Sequence, residues 1–233
     1  MKGLFNWNKK IGLGKRDIHN HLLPGVDDGF RNAEDSLEAI KRMAQEGCKQ
    51  IVFTPHMNPD VYPDETEAHI RQVYKDFSAR IPAEWGVETR LAAEYMVVKD
   101  FENRAADKEL LTYSDGSILI EMSYYFKSEN IEEAIFALNT EGHRPVLAHP
   151  ERYLYMADNL GEFDRLRDMG CRFQMNRLSL TGIYGGESLK IMDYLLSRGM
   201  YDFMATDLHT LSQLDKLADI KVRNKIAALL PAD

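Results

Sequence analysis

Residues 16–29 read RDIHNHLLPGVDDG, a short strand followed by a run of side chains that can bind metal. His19 and His21 are two residues apart, so in an extended chain both rings point to the same side and can bind one ion together. The aspartate pair Asp27 and Asp28, closed by Gly29, follows shortly after. This stretch therefore predicts a site at the carboxyl end of a strand, which other strands with similar endings would extend.

Short apolar runs alternate with amphipathic helical patterns along the rest of the chain. The stretch AEDSLEAIKRMAQEG at 33–47, for example, places Leu37, Ile40 and Met43 on one face and closes on a glycine. Similar helical patterns cover 66–81, 128–142, 160–170 and 187–199, and strands are predicted at 17–20, 49–55, 87–95, 117–123, 145–150, 171–176 and 201–207.

This alternation predicts a single-domain α/β fold. Parallel neighbours need a crossover helix, so regular strand–helix alternation indicates a parallel sheet. Seven such units favour a closed, TIM-like (β/α)7 barrel over an open doubly wound sheet, and no Gly-x-Gly-x-x-Gly turn follows the first strand. A basic N-terminal arm over 1–15 and one domain over 16–233 are expected.

Metal-capable side chains end one predicted strand after another. In a parallel barrel the carboxyl ends of the strands form the functional rim. Two histidines stand apart from this pattern: His69 falls within a helical pattern, and His143 lies at the opposite end of the strand that His149 ends. The side chains at strand ends are His19 and His21 on the first strand, His56 on the second, Glu94 on the third, Glu121 on the fourth, His149 on the fifth, and Asp207 with His209 on the seventh.

Together with one aspartate of the 27–28 pair, these side chains predict a metal centre. A single ion takes about four to six protein ligands, so five histidines and four carboxylates indicate two or three divalent ions, with a carboxylate such as Glu94 shared between two of them. Imidazole and carboxylate without thiolate suit Mn, Fe or Zn. Glu121, inside the apolar run SILIEMS, also needs a partner once buried.

The composition and charge of the chain disfavour several classes of partner and location. A net charge of -8 disfavours nucleic acid as the main partner. No apolar run reaches the roughly 20 residues of a transmembrane helix, and no signal-peptide pattern is present. Cys48 and Cys171 read as buried free thiols, which indicates a reducing, cytoplasmic setting. The basic arm would lie on the domain or make a weak contact with a membrane surface or a partner.

At this point the motifs resemble those of the polymerase and histidinol phosphatase (PHP) superfamily. The segments HLLPGVDDG, TPH, AHPERY, SLTGIYG and DLH are most similar to its bacterial branch of metal-dependent protein-tyrosine phosphatases, which are encoded with capsular and exopolysaccharide systems. The similarity runs from about Asp17 to His209. It implies the distorted seven-stranded barrel of the PHP type, which agrees with the strand count.

The resemblance also implies roles for individual residues. Asp28 matches the ligand of the aspartate pair, so Asp27 would orient a ligand or form the turn, and Arg152 of HPER would bind the substrate phosphate. A second phosphate-binding arginine expected after the D-x-H motif is missing from TLSQLDK, which leaves Lys216, Arg177 or no residue for that role. A trinuclear site would divide the ligands into three sets: His19, His21, Glu94 and Asp207; Glu94, Glu121 and His149; and Asp28, His56 and His209.

The activity that the resemblance implies is hydrolysis of phosphotyrosine on a protein by a metal-bound hydroxide, with Mn as the first choice of metal. The substrate would be the tail of a bacterial tyrosine kinase that regulates polysaccharide synthesis. The alternatives are a small-molecule phosphatase of the histidinol-phosphate type, an amidohydrolase-like or nuclease enzyme, and a non-enzymatic metal-binding module. Amidohydrolases usually have a lysine on the fourth strand, where this chain has Glu121, and a degenerate module should have lost ligands.

Several aromatic residues follow the rim strands. They either frame an aromatic substrate or pack between the loops, and the sequence leaves both interpretations open. These residues are Tyr124, Tyr125, Phe126, Tyr153 and Tyr155.

Overall fold

The computed structural model describes residues 7–231, and each predicted strand region contains a strand. The central strand SILIE is buried along its whole length, as expected for a parallel strand that is covered on both faces. The strands are β1 (Trp7–Lys10), β2 (Arg16–Asp17), β3 (Gln50–Phe53), β4 (His56–Met57), β5 (Glu88–Leu91), β6 (Glu94–Met96), β7 (Ser117–Glu121), β8 (Arg144–Ala148), β9 (Arg172–Asn176), β10 (Phe203–Ala205) and β11 (Lys221–Arg223).

Parallel strands form two sheets. One has six strands in the order β10-β9-β8-β7-β6-β4, and the other has three in the order β2-β3-β5. The third predicted strand is divided between the sheets at Ala92 and Ala93. The second, over 49–55, contains only β3, and β4 of the other sheet begins just after it, at His56. The mixed α/β fold with parallel strands is confirmed, but hydrogen bonding divides the predicted seven-stranded barrel into two sheets. Pro55 contributes to the break because it has no N–H to donate.

The first and last parallel strands approach each other at their carboxyl ends. Asn20 and Leu208 form an isolated parallel bridge. The backbone N–H of Asp207 donates to the carbonyl of His19 (2.8 Å), and the N–H of His21 donates to the carbonyl of Leu208 (2.9 Å). These bonds bring the histidine-bearing segment beside the segment that follows β10.

Helices connect the parallel strands and cover them. All five predicted helices are present, and α1 begins after Asn32, whose side chain accepts a hydrogen bond from the N–H of Asp35. Its buried face includes Ile40 and Met43, as the pattern predicts. The helices are α1 (Ala33–Gln45), α2 (Glu67–Ser78), α3 (Ile131–Thr140), α4 (Gly161–Asp168), α5 (Gly185–Ser197), α6 (Leu211–Ala218) and α7 (Asn224–Ala227), of which the last two were not predicted.

Part of the predicted basic arm belongs to a small additional sheet. Residues 7–10 form β1, which pairs antiparallel with β11 near the other end of the chain, with Lys10 opposite Lys221. Residues 1–6 of the arm lie outside the described residues. Between residues 7 and 231, no helix combines the length and the apolar composition needed to cross a membrane.

Candidate metal centre

The nine predicted ligands lie together at the carboxyl ends of the parallel strands. They fall into four groups, and within each group the ligand atoms lie within 4.8 Å of one another. Glu121 shares a group with His56 rather than with His149, which differs from the division that the family resemblance implies. The groups are His21, Asp28, His56 and His209; His19, Glu94 and His149; His19, His21 and Asp207; and His56, Glu94 and Glu121.

Glu94 is the central carboxylate of the site. It is fully buried, and its Oε2 lies 3.2 Å from Nε2 of His19, 3.3 Å from Nε2 of His21 and 3.1 Å from Nδ1 of His56. Its other oxygen, Oε1, lies 3.0 Å from Nε2 of His149. A carboxylate with four imidazoles around it has the surroundings expected of a ligand shared between ions.

Several buried ligand atoms have no hydrogen-bond partner among the described residues. They include Nδ1 of His56 and Oε2 of Glu94, which lie 3.1 Å apart without the geometry of a hydrogen bond, and Nδ1 of His149. Unpaired polar atoms are costly to bury, and these two neighbouring atoms have lone pairs that a cation could share. The donor set therefore fits divalent metal ions.

The charge balance of the site also favours cations. Burial alone would raise the pKa of Glu94, but the neighbouring His19 and His56 rings hold that pKa well below its usual range. Likewise, burial opposes ionisation of Asp207, yet His19 and His209 keep its pKa well below normal. Burial lowers the pKa of His56, but the Glu121 and Glu94 carboxylates outweigh it and raise that pKa to about 9. The ionised carboxylates are therefore stabilised by nearby positive charge, which divalent ions would supply.

Two polar side chains orient the paired histidines from behind. Nδ1 of His19 lies 2.7 Å from Oε1 of Gln174, an oxygen that can only accept, so Nδ1 carries the proton and Nε2 faces the site. Nδ1 of His21 is held in the same way by Oδ2 of Asp27, at 2.8 Å. Asp27 also accepts from the N–H of His56 (3.0 Å) and is absent from the four ligand groups.

The backbone is strained at two of the nine residues. His149 and Asp207 have φ angles of 32° and 50°, in the left-handed region that residues other than glycine seldom adopt. Such conformations cost about 1–3 kcal/mol each and persist only where the surrounding structure enforces them. They follow β8 and β10, which flank β9 in the six-stranded sheet, and their strain at the same edge marks this rim as a candidate functional site.

A cavity of about 320 Å³ opens beside the ligands. Arg152 lines it and donates from Nη1 to Oδ2 of Asp207 (2.9 Å). Its guanidinium carbon lies over the rings of Tyr124 and Tyr184, 4.1 and 4.6 Å from their centroids. The lining consists of Asp28, His56, Tyr124, Arg152, Tyr184, Asp207, His209 and Gln213.

Neither residue considered for the missing second arginine lines this cavity. Arg177 is buried and donates from Nη1 to the carbonyl of Gly12 (2.8 Å). Lys216 lies exposed in the last turn of α6. Gln213 occupies that side of the cavity instead.

Comparison with known proteins identifies the family. A family model described as capsular polysaccharide synthesis, CpsB/CapC, matches residues 15–220. The chain belongs to the CpsB/CapC family. Relatives include the tyrosine-protein phosphatase YwqE of Bacillus subtilis, 30% identical over 195 residues that cover 83% of this chain and 76% of the relative. Another is the tyrosine-protein phosphatase CpsB of Streptococcus pneumoniae, 29% identical over 207 residues, with 84% and 83% covered.

A solved structure of the CpsB/CapC family has the same fold. The crystal structures of YwqE from Bacillus subtilis and CpsB from Streptococcus pneumoniae are described as those of unique metal-dependent tyrosine phosphatases. The match has a TM-score of 0.77 at 30% sequence identity and covers 85% of this chain and 81% of the other.

Two residues that support the proposed ligands were not predicted from the sequence. Gln174 supports His19, and Asn176 donates from Nδ2 to Oδ2 of Asp207 (2.7 Å). Both lie on β9, in the run CRFQMN, and both are buried. Side chains at i and i+2 of a strand face the same side, so the spacing of these two polar residues, each beside an apolar one, could have identified them. By contrast, His69 and His143 lie outside the ligand groups, as predicted.

Proposed function

We propose that this protein is a metal-dependent phosphatase that hydrolyses phosphotyrosine on a protein of a capsular or exopolysaccharide system. The observation that carries the proposal is the convergence of nine ligand-type side chains beside a cavity that contains Arg152. The family and the names of the relatives support the same reaction.

The metal ligands in this proposal are the nine side chains of the rim. They would hold two or three divalent ions, with manganese as the first choice and iron or zinc as alternatives, and Glu94 shared between ions. When bound, such ions lower the pKa of water and neutralise the oxygens of a phosphoryl group. Asp27 and Gln174 would fix the orientation of His21 and His19.

Arg152 would bind the substrate phosphate. Its planar guanidinium can offer two parallel N–H groups to two phosphoryl oxygens, and contacts with the rings of Tyr124 and Tyr184 would position it. The leaving group is a phenolate whose conjugate acid has a pKa of about 10, so strong proton donation is needed less than for an alkyl phosphate.

The cysteines do not suit the role of nucleophile. Cys48 and Cys171 are both free and buried, and burial raises the pKa of each thiol to about 12. A thiol with such a pKa carries almost no thiolate at neutral pH. Their reduced state also supports a reducing compartment as the site of action.

The remaining parts of the proposal concern the partner and the architecture. The substrate protein would be the tyrosine-bearing tail of a bacterial tyrosine kinase that regulates polysaccharide synthesis. The phosphatase domain would cover residues 16–233, preceded by the basic arm over 1–15. Its two parallel sheets would form one distorted seven-stranded barrel, which the Asn20–Leu208 bridge supports.

A metal-dependence assay tests the proposed function. The purified protein should hydrolyse a phosphotyrosyl peptide with Mn²⁺ and lose this activity after chelation, and it should turn over histidinol phosphate far more slowly. His149→Ala should lose nearly all activity while the far-ultraviolet circular dichroism spectrum is retained. His143→Ala, at the opposite end of β8, is the matched control and should keep full activity. Turnover unchanged in His149→Ala would refute the ligand assignment, and faster turnover of histidinol phosphate would refute the protein substrate.

A further inference from the structure

A groove with a volume of about 710 Å³ lies next to the metal centre. It is bounded by three loops, and we call it the rim groove (residues 58–61, 96–102 and 123–130). Asn58 and Ser123, two of its lining residues, follow the proposed ligands His56 and Glu121 by two positions. The rim groove therefore begins where the metal centre ends, and the proposed function makes no use of it.

Large apolar side chains are exposed along the rim groove. Val61 and Phe126 line it and are 60% and 66% exposed, and the adjacent Tyr125 is 88% exposed. They are on two different loops, one after β4 and one after β7. Apolar side chains gathered on one surface are typical of a site that another molecule covers.

The charge of the rim groove is negative. Its lining has four carboxylates and two lysines, and Lys127 is already paired with Glu162 and Glu132 outside the groove. Asp60, Asp100 and Glu129 have no ion-pair partner within residues 7–231, and Lys99 is the remaining cation of the lining. The surface is therefore complementary to a segment that carries positive charge next to an apolar side chain.

We propose that the rim groove binds the polypeptide that flanks the phosphotyrosine and selects substrates with lysine or arginine close to it. This inference rests on the proposed phosphatase function and names its substrate class. Because Asn58 and Ser123 join the rim groove to the segments that carry His56 and Glu121, the selected basic residue would lie close to the phosphotyrosine in the substrate sequence. The apolar side chains of Val61 and Phe126 would pack against a neighbouring residue of the same segment.

A peptide series tests the selection directly. The full-length protein with Mn²⁺ is assayed on phosphotyrosyl peptides whose flanking positions are lysine, glycine or glutamate, and on p-nitrophenyl phosphate, which has no flanking residues. We expect kcat/KM to be about fivefold or more higher for the lysine peptide than for the glutamate peptide, since exposed charge pairs contribute modestly. This ratio should fall as ionic strength rises.

Charge reversal in the rim groove provides the second arm. In the double variant with Asp60→Lys and Glu129→Lys, the kcat/KM for the lysine peptide divided by that for the glutamate peptide should fall to one or below. Glu84→Lys, on an exposed turn that is not part of the groove lining, is the matched control and should keep the wild-type ratio.

Removal of apolar surface provides the third arm. Phe126→Ser should raise KM for the peptides relative to p-nitrophenyl phosphate. Phe136→Ser removes an equally exposed phenylalanine from α3, outside the groove lining, and should not change that relation.

The outcomes separate this inference from the proposed function. Equal kcat/KM for all three wild-type peptides, with p-nitrophenyl phosphate hydrolysed, would overturn the inference alone. No turnover of any substrate, p-nitrophenyl phosphate included, would overturn the proposed function and this inference with it.

Discussion

Gln174 orients a proposed metal ligand, His19, through a single hydrogen bond. Its Oε1 holds the protonated Nδ1 of His19, so the Nε2 lone pair faces the carboxylates of the site. Such supporting residues typically change metal affinity by about 10–100-fold when they are removed. Gln174 would thus support the proposed metal centre although it offers no ligand atom.

The first prediction concerns this bond. Gln174→Leu keeps the approximate volume but removes the acceptor, so the His19 ring loses its fixed orientation. We expect the Kd for Mn²⁺, measured by calorimetric titration, to rise by about tenfold or more. Gln72→Leu, on the exposed face of α2, is the control and should keep the wild-type Kd. Unchanged Mn²⁺ affinity in Gln174→Leu would show that His19 needs no support.

A second prediction concerns the shape of Arg152. Arg152→Lys keeps the positive charge but loses the planar group that lies over the rings of Tyr124 and Tyr184. We expect KM for a phosphotyrosyl peptide to rise by about tenfold, while Mn²⁺ affinity stays within a factor of about two. Steady-state kinetics and metal titration on the same preparation check both parts. A wild-type KM would mean that charge alone suffices.

At the scale of an element, the loop between β2 and α1 depends on the close approach of two backbone segments. The N–H of Phe30 donates to the carbonyl of His21 (3.1 Å), which folds the end of the loop back onto the histidine pair. A Cβ added at Gly29 would lie 2.2 Å from the carbonyl oxygen of His21 and 2.5 Å from the Cβ of His21. Only glycine fits there, and the same turn places Asp27 against His21.

The third prediction therefore concerns Gly29→Ala. The added methyl group would push the loop away from His21, so we expect a loss of more than about 2 kcal/mol in the free energy of unfolding and weaker Mn²⁺ binding. Gly186→Ala is the control, because a Cβ there meets nothing within 4 Å. Denaturant unfolding of both variants measures the difference. Equal stability of the two variants would contradict the close approach.

A helix cap has a comparable role on the other side of the site. The capping box of α6 pairs Thr210 with Gln213, and Oε1 of Gln213 also accepts from the N–H of His209 (2.7 Å). The start of this helix thus fixes the backbone of a proposed ligand.

At the scale of the whole molecule, the proposed metal centre joins segments from distant parts of the chain. The ligand groups combine residues of the first strand region with residues that follow β10. Ions that bind only the folded chain would therefore stabilise the entire structure.

The fourth prediction is a metal-dependent melting temperature. At a free Mn²⁺ concentration of about 100 times Kd, one bound ion adds about 2.7 kcal/mol to the free energy of unfolding. For a chain of this size, each kcal/mol raises Tm by about 2–4 °C. Mn²⁺ should therefore raise Tm by about 5–10 °C over that of the chelated protein. Differential scanning fluorimetry measures the shift. Glu94→Gln, which removes one charge from the shared carboxylate, should show a smaller shift, and a Tm insensitive to Mn²⁺ would argue against the centre.

Local patterns in the sequence were enough to predict that the nine proposed ligands lie together, because parallel topology brings all strand ends to one edge. The division of the strands into two sheets was harder to predict, although Pro55 within a predicted strand is a signal of interruption. The β1–β11 pair could not be predicted, because β1 has the largely polar sequence WNKK and pairs with a distant strand of three residues. Gln174 and Asn176 were read only as part of a strand, since their roles depend on partners in other strand regions.

The left-handed backbone at His149 and Asp207 has an evolutionary consequence. Glycine and asparagine adopt this conformation more easily than histidine does, so either residue at position 149 would relieve the backbone strain in a chain that no longer needed the imidazole. Descendants that have abandoned the reaction should therefore show glycine or asparagine at this position, and a histidine retained there marks a lineage still under selection for chemistry.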